Sequence, residues 1–173
     1  MTSLRTVAID PATAGSRAEN AAIVARLAFA ASPQPDLVRS PWAVGGHSVP
    51  LHPDLVERVI AVGAAAELDV RFLYGVPVMP TRDGIVVAAG LGMREIRVRL
   101  PPDQIAPVLL TSQEEDPDLG AGWARVAAWA VDVPAAEIVP ALAAVCRVAA
   151  QSVSPTRPRS RSATSDTPRR RRG

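Results

Sequence analysis

Residues Val70 to Leu100, VRFLYGVPVMPTRDGIVVAAGLGMREIRVRL, decide the fold class. Val70–Met79 is rich in Val, Phe and Tyr and predicts a strand, with Pro77 marking an edge or a bend. Arg82-Asp83-Gly84 predicts a turn, because Asp-Gly is a strong hairpin signal. Ile85–Ala89 follows as a short apolar strand, and Gly90–Gly92 as a second turn. From Arg94 to Leu100 the residues alternate. Ile96, Val98 and Leu100 fall on one face, and Glu95, Arg97 and Arg99 on the other, which predicts a strand with one wet face. Three strands joined by short turns form an antiparallel meander.

Helical patterns flank the meander. Upstream, Pro53 suits the first helical position and Asp54 the positive end of the helix dipole. Leu55, Val59, Val62 and Ala66 form a stripe, Gly63 weakens its middle, and the helix should end near Glu67. Downstream, Asp103–Leu110 is a short helix candidate, residues 111–122 are a polar acidic loop, and Trp123–Val131 is the last strand. Pro134–Gln151 closes the domain as a helix striped by Ile138, Leu142, Val145 and Ala149. Pro140 implies either a start near Glu137 or a kink. The expected core includes Leu55, Val59, Val62, Phe72, Ile96, Val98, Val126, Leu142 and Val145. The fold class is α+β: a mainly antiparallel sheet of about four strands packed by N- and C-terminal helices, with a disordered Arg-rich tail.

The N-terminal third reads as accessory. Residues 1–15 are a flexible arm. Ser16-Arg17-Ala18-Glu19 has the pattern of a capping box, with Ile23, Val24, Leu27, Ala28 and Ala31 following at helical spacing. Residues 16–50 are thus an accessory helix and a connector holding Pro33, Pro35, Pro41 and Pro50, with Trp42 pinning it to the body. Residues 51–151 are the α+β domain and 152–173 the tail.

The chain has 173 residues, 48% hydrophobic, 21% charged and 3% aromatic, too aliphatic for complete disorder. One cysteine excludes an intramolecular disulfide framework. All 19 basic residues are Arg, so P-loop, Schiff-base and general-base lysines are excluded. The net charge of +2 is unevenly distributed. Residues 1–151 carry 12 Arg against 16 Asp and Glu, a net −4, whereas residues 152–173 carry 7 Arg against one Asp, a net +6. The start of the chain lacks an apolar segment of signal-peptide length, and no run of about 18 uncharged apolar residues occurs, so a cytoplasmic location is expected.

Several stretches resemble the N-terminal domain of TfoX-like proteins and the related YjbR-type α+β domains, over about residues 53–151. They are Val70-Arg71-Phe72-Leu73-Tyr74-Gly75, Asp83-Gly84-Ile85-Val86-Val87-Ala88, Ile96-Arg97-Val98-Arg99-Leu100 and Trp123-Ala124-Arg125-Val126. Pro77 and Pro80 depart from the family's glycine and aromatic run, and residues 1–50 have no counterpart. The resemblance implies the fold and, weakly, a regulatory association. It carries over no catalytic residue.

No catalytic, metal or cofactor motif stands out, and no cofactor is expected. His47 and His52 lie five apart rather than at helical metal-ligand spacing. His52 is better placed to cap the helix that follows it. Cys146 sits beside an apolar stripe, the setting of a structural cysteine. Gly90-Leu91-Gly92 lacks the third glycine of a dinucleotide fingerprint, and Glu114, Glu115 and Asp116 lack EF-hand spacing. Tyr74, Arg97, Trp123, Arg125 and Trp129 are candidates for a pocket between sheet and helices, with Arg71, Arg97 or Arg125 meeting an anionic group. Arg157, Arg159, Arg161, Arg169, Arg170, Arg171 and Arg172 are candidate contacts for nucleic acid or another polyanion, since Arg pairs phosphate bidentately. No aromatic interleaves them, so such binding would be independent of base sequence.

Three readings stand: a non-catalytic interaction or regulatory module with a protein partner, a small-ligand-binding or enzymatic domain, and a nucleic-acid accessory working through its tail. The tail also has two quieter roles open to it, as a solubilising segment or as one that docks on the acidic loop at 114–118.

Overall fold

The computed structural model describes residues 7–31, 43–44, 47–48, 51–92, 94–100, 104, 113–130 and 133–153. The Asp103–Leu110 helix, Trp42 and the Arg-rich segment from residue 154 onward lie outside these, apart from Gln104 in the first.

The meander forms as expected, with its turns shifted. Val70–Met79 is not one strand. It is a hairpin of β4 (Arg71–Leu73) and β5 (Val76–Pro80), closed by Tyr74-Gly75. Both turn residues have positive φ, 53° and 77°, as in a type I′ turn whose twist matches the flanking strands. Tyrosine rarely adopts this conformation, so the turn is hard to read from the residues. The Asp83-Gly84 turn is present, closed by Gly84 N–H donating to the Thr81 carbonyl at 2.9 Å. β6 (Val86–Leu91) runs through Gly90, which was expected to turn, and the chain reverses at Gly92 before β7 (Glu95–Val98). Gly90 is needed in the strand because a Cβ there would lie 3.0 Å from Val59 Cγ2 and 3.3 Å from Pro77 Cγ.

The sheet is larger than expected. β9 (Ala124–Ala127) pairs with β7, and β8 (Gln113–Glu115), inside the expected polar loop, pairs with β9. At the opposite edge β1 (Val7–Ala8), inside the expected flexible arm, runs parallel to β4. Among the described residues the order is β1-β4-β5-β6-β7-β9-β8. The fold is therefore α+β; the sheet is antiparallel in every pairing except β1 with β4, which makes it mixed, and it has more than the expected four or so strands. A separate antiparallel pair joins β2 (Ala43–Val44) to β3 (His47–Ser48).

Register assigns the faces, because directly paired residues point the same way. Phe72, Pro77, Met79, Ala88, Gly90, Ile96, Val98, Ala124 and Val126 share one face. Against it pack α3 (Pro53–Ala66) and α4 (Ala135–Val153), which also pack on each other. His52 caps α3 as expected, its Nδ1 accepting from Asp54 N–H at 3.3 Å, and Glu67 ends the helix in the left-handed region. α4 contains Pro140 on its exposed side and starts one residue after Pro134, whose carbonyl accepts from Glu137 and Ile138 N–H. By length and composition α4 is apolar enough to cross a bilayer (mean hydropathy 1.4), yet its stripe of Ile138, Leu142, Val145, Cys146 and Ala149 belongs to the core.

The N-terminal helix is not accessory. α1 (Pro11–Gly15) begins at Asp10, whose side chain accepts from Thr13 N–H at 3.0 Å and Thr13 Oγ1–H at 2.9 Å. Ser16 ends α1 instead of capping a helix, because Asp10-Pro11 supplies the stronger start one turn earlier. After a 3-10 turn (Ala18–Asn20), α2 (Ala21–Ala31) buries Ile23 and Leu27 completely in the common core.

Gly63 has a requirement that helix propensity alone conceals. A Cβ there would overlap Val70 Cγ2 and lie 3.3 Å from the Leu68 carbonyl oxygen. Valine is stiff at χ1 and the carbonyl belongs to the backbone, so neither yields cheaply. Gly63→Ala is expected to destabilise by about 1–3 kcal/mol, although alanine would gain about 1 kcal/mol in helix propensity. The urea midpoint measures it, and an unchanged or raised midpoint would contradict the close approach.

Candidate functional site

The second face of the sheet carries the charges. Glu95, Arg97 and Arg125 sit there by register, with Arg97 directly opposite Arg125. This face was expected to be wet, but Arg97 is only 7% exposed. Burying a guanidinium requires full compensation, and two carboxylates provide it. Arg97 Nη1 donates to Glu95 Oε2 at 2.7 Å, and its Nε forms an ion pair with Asp116 Oδ2. Glu95 Oε1 also lies 3.6 Å from Arg125 Nε.

Asp116 reaches Arg97 because β8 delivers it there. Its other oxygen, Oδ1, accepts from Asp118 N–H at 2.8 Å and Leu119 N–H at 2.9 Å, fixing the turn that leads into β9. Asp118 pairs with Arg26 of α2 at 3.0 Å. The acidic loop is thus not a uniformly solvated patch. Two of its carboxylates hold the fold together, and Asp116 is 1% exposed. Among the carboxylates expected to receive the tail, Asp116 and Asp118 already have cationic partners.

The expected pocket residues separate into three places. Arg97 and Arg125 lie in the ionic network. Trp123, 3% exposed, sits beside it with the Arg99 guanidinium 5.3 Å from its ring centroid. Arg99 also donates to the Glu19 carbonyl. Burial lowers its pKa, partly offset by the charge of Glu19. Tyr74 is in the β4–β5 turn, three strands away from Arg97 in the sheet order. Trp129 lines a groove of about 570 Å³ where β7 begins and β9 ends, beside the start of α3. Arg94, Glu95, Ala127, Ala130 and His52 line it too. Arg71 faces Asp69 at 3.4 Å in a second groove, of about 590 Å³, at the far end of the sheet.

Arg58 was not anticipated. From α3 it lies over the Trp129 ring, 5.2 Å from the centroid. Its Nη1 is buried with no hydrogen-bond partner among the described residues. In the sequence Arg58 is one polar residue beside the α3 stripe, and nothing local marks it.

Cys146 is fully buried, and burial pushes its thiol up to about 12 from an ordinary value near 9, against a small opposing effect of Arg147. Such a thiol does not serve as a nucleophile near neutral pH. The folded state keeps the proton where the unfolded state loses it. Stability contributed below about pH 9 is therefore lost as pH rises towards 12, at about 1.4 kcal/mol per pH unit. The stability advantage of the wild type over Cys146→Ala should narrow with that slope across this window in denaturant melts; a constant gap would contradict it. Among the described residues, no three His, Cys, Asp or Glu side chains converge as a metal-ligand set.

No family model, curated protein or solved structure matches the chain.

Proposed function

We propose that the chain is a non-catalytic interaction module, a folded α+β body that presents its Arg-rich segment, residues 152–173, to a polyanionic partner. Charge segregation carries this reading: seven arginines and one Asp follow a body of net charge −4. What favours an external partner over a contact within the chain is the occupancy of the acidic loop. Asp116 is committed to Arg97 and Asp118 to Arg26, so the loop offers the tail much less charge than its composition suggests. The TfoX-like resemblance, which brings no catalytic residue with it, points the same way. Contacts of this kind are made to phosphate and are independent of base sequence.

The test is binding of the full chain to a DNA duplex across a salt series. Wild type should bind duplexes of unrelated sequence alike. Its log K should fall linearly with log salt concentration, by roughly 0.9 per phosphate neutralised. A full-length variant with all seven tail arginines changed to glutamine should lose the binding. Equal binding by that variant would overturn the role of the tail. Absence of duplex binding by the wild type, with retention of an acidic protein, would replace nucleic acid with a protein partner.

A further inference from the structure

We propose that the outer face of α4 is a two-fold interface on which a second copy of the chain docks, the two α4 helices lying antiparallel. The face is built from residues four apart. Ala136, Pro140, Ala144 and Val148 are all exposed and rise along one side of the helix, opposite the buried Ile138, Leu142, Val145 and Ala149. Val148 is 46% exposed, one of three large apolar side chains left so open among the described residues. A helix on the surface of a lone domain ordinarily turns a charged face to water. α4 has only two charged side chains in its 19 residues, Glu137 and Arg147. Both are exposed, one beside the start of the row and the other beside its end, on opposite sides. With a mean hydropathy of 1.4 and only 33% of it buried in the body, α4 has an apolar surface that the protomer leaves unused.

Charge identifies the occupant. A two-fold axis level with Leu142 places Pro140 against the partner's Ala144 and Ala136 against the partner's Val148. The same register brings Glu137 level with the partner's Arg147, once on each side of the axis. One axis thus matches the whole apolar row and both charges, so the surface is complementary to itself, as an isologous interface requires. A parallel pair would instead set Glu137 against Glu137 and Arg147 against Arg147. Alanine and proline in the middle of the row let the helix axes approach to about 8 Å, a gap that Glu and Arg side chains span. In the protomer Arg147 Nη1 donates to the Ala65 carbonyl of α3 at 2.6 Å, which leaves the rest of the guanidinium for a carboxylate. That bond also places α3 at the border of the face. Its exposed Ala61, Ala64 and Ala65 extend the apolar surface, bounded by Glu57 one turn before them and Glu67 just after the helix ends. Two helices side by side, the longer about 28 Å, have the scale of the roughly 800 Å² that each partner buries in a stable dimer.

Sedimentation equilibrium of the full chain tests the interface. The wild type should approach twice its 18.1 kDa, with a Kd of about 10 μM or tighter. Ala144→Glu places a carboxylate at an exposed position in the middle of the face. It should keep the urea midpoint near that of the wild type and weaken association about a hundredfold, because the change enters the contact twice. Glu137→Arg and Arg147→Glu each set like charges together and should weaken association about tenfold. The two single variants mixed, and the double variant alone, should recover the wild-type Kd. A full-length variant with all seven tail arginines changed to glutamine should self-associate like the wild type, which keeps this outcome separate from that of duplex binding. A monomeric wild type at about 100 μM would overturn the interface. So would an Ala144→Glu variant that associates as tightly as the wild type, or charge-swapped variants that fail to recover association. If the wild type is monomeric and binds vesicles of anionic phospholipid while Ala144→Glu does not, the face belongs to a lipid surface and the second copy is overturned as its occupant.

Discussion

Replacing Asn20 by alanine should cost about 3–5 kcal/mol and lower the melting temperature on the order of 10 °C. Asn20 is completely buried. Its Nδ2 donates to the Ala14 carbonyl at 3.0 Å and to the Gly84 carbonyl at 2.9 Å, and its Oδ1 accepts from Val86 N–H at 2.9 Å. One side chain thus joins the end of α1, the Asp-Gly turn and the first residue of β6. Alanine would leave three backbone groups without their partner, and an unpaired buried polar group costs roughly 1–3 kcal/mol. A small cavity adds to the loss. Asn20→Asp tests the geometry, because it keeps an acceptor for Val86 N–H but turns a carboxylate oxygen towards two carbonyls. Both variants should be severely destabilised in urea melts. A cost below about 1 kcal/mol for alanine would mean that the three contacts are replaceable by water and do not hold the N-terminal segment to the sheet.

The second large effect is expected at the buried ion pair. Asp116→Ala removes the partner of Arg97 Nε and both turn bonds to Asp118 and Leu119, and should cost about 3–5 kcal/mol. Asp116→Asn separates these contributions. The amide oxygen can still accept from the two N–H groups while the charge is gone, so its loss should be clearly smaller. Arg97→Met should be as damaging as Asp116→Ala, because it strands Asp116 at 1% exposure without a counter-charge. The double variant Arg97→Met, Asp116→Asn should cost less than the sum of the two single changes, since neither charge is then left alone. Additive costs would show that the two side chains are not coupled.

These two sites show where reading the residues succeeds and where it stops. The Asp83-Gly84 turn and the start of α3 at Pro53 follow from φ preferences and unpaired backbone groups within a few residues, and the end of α3 near Glu67 from where its apolar stripe stops. They were legible for that reason. Tyr74-Gly75 was missed because an aromatic at positive φ runs against propensity, and only the surrounding hairpin enforces it. Gln113–Glu115 was missed because three polar residues carry no strand signal. They pair because β9 offers them an edge.

The candidate pocket was half legible. Trp129 does line a groove, but Arg97 and Arg125 are turned to Glu95 and Asp116. The alternation of Arg94–Leu100 correctly opposed Ile96 and Val98 to Arg97. It could not say whether the polar face meets water or another strand. That depended on residue 116 landing beside residue 97.

By itself, then, the sequence determined the α+β class, the core stripes of α3 and α4, the Asp83-Gly84 turn and the segregation of seven arginines into the last 22 residues. Each of these is set by residue type and by neighbours within about one turn or one hairpin. Tertiary structure alone decided that the sheet is mixed, that Asn20 and Arg97 are buried, that the acidic loop is internally paired and that Arg58 lies on Trp129. Those features join residues up to 92 positions apart. Their partners are chosen by which strand or helix closes against which, and no local propensity encodes that choice.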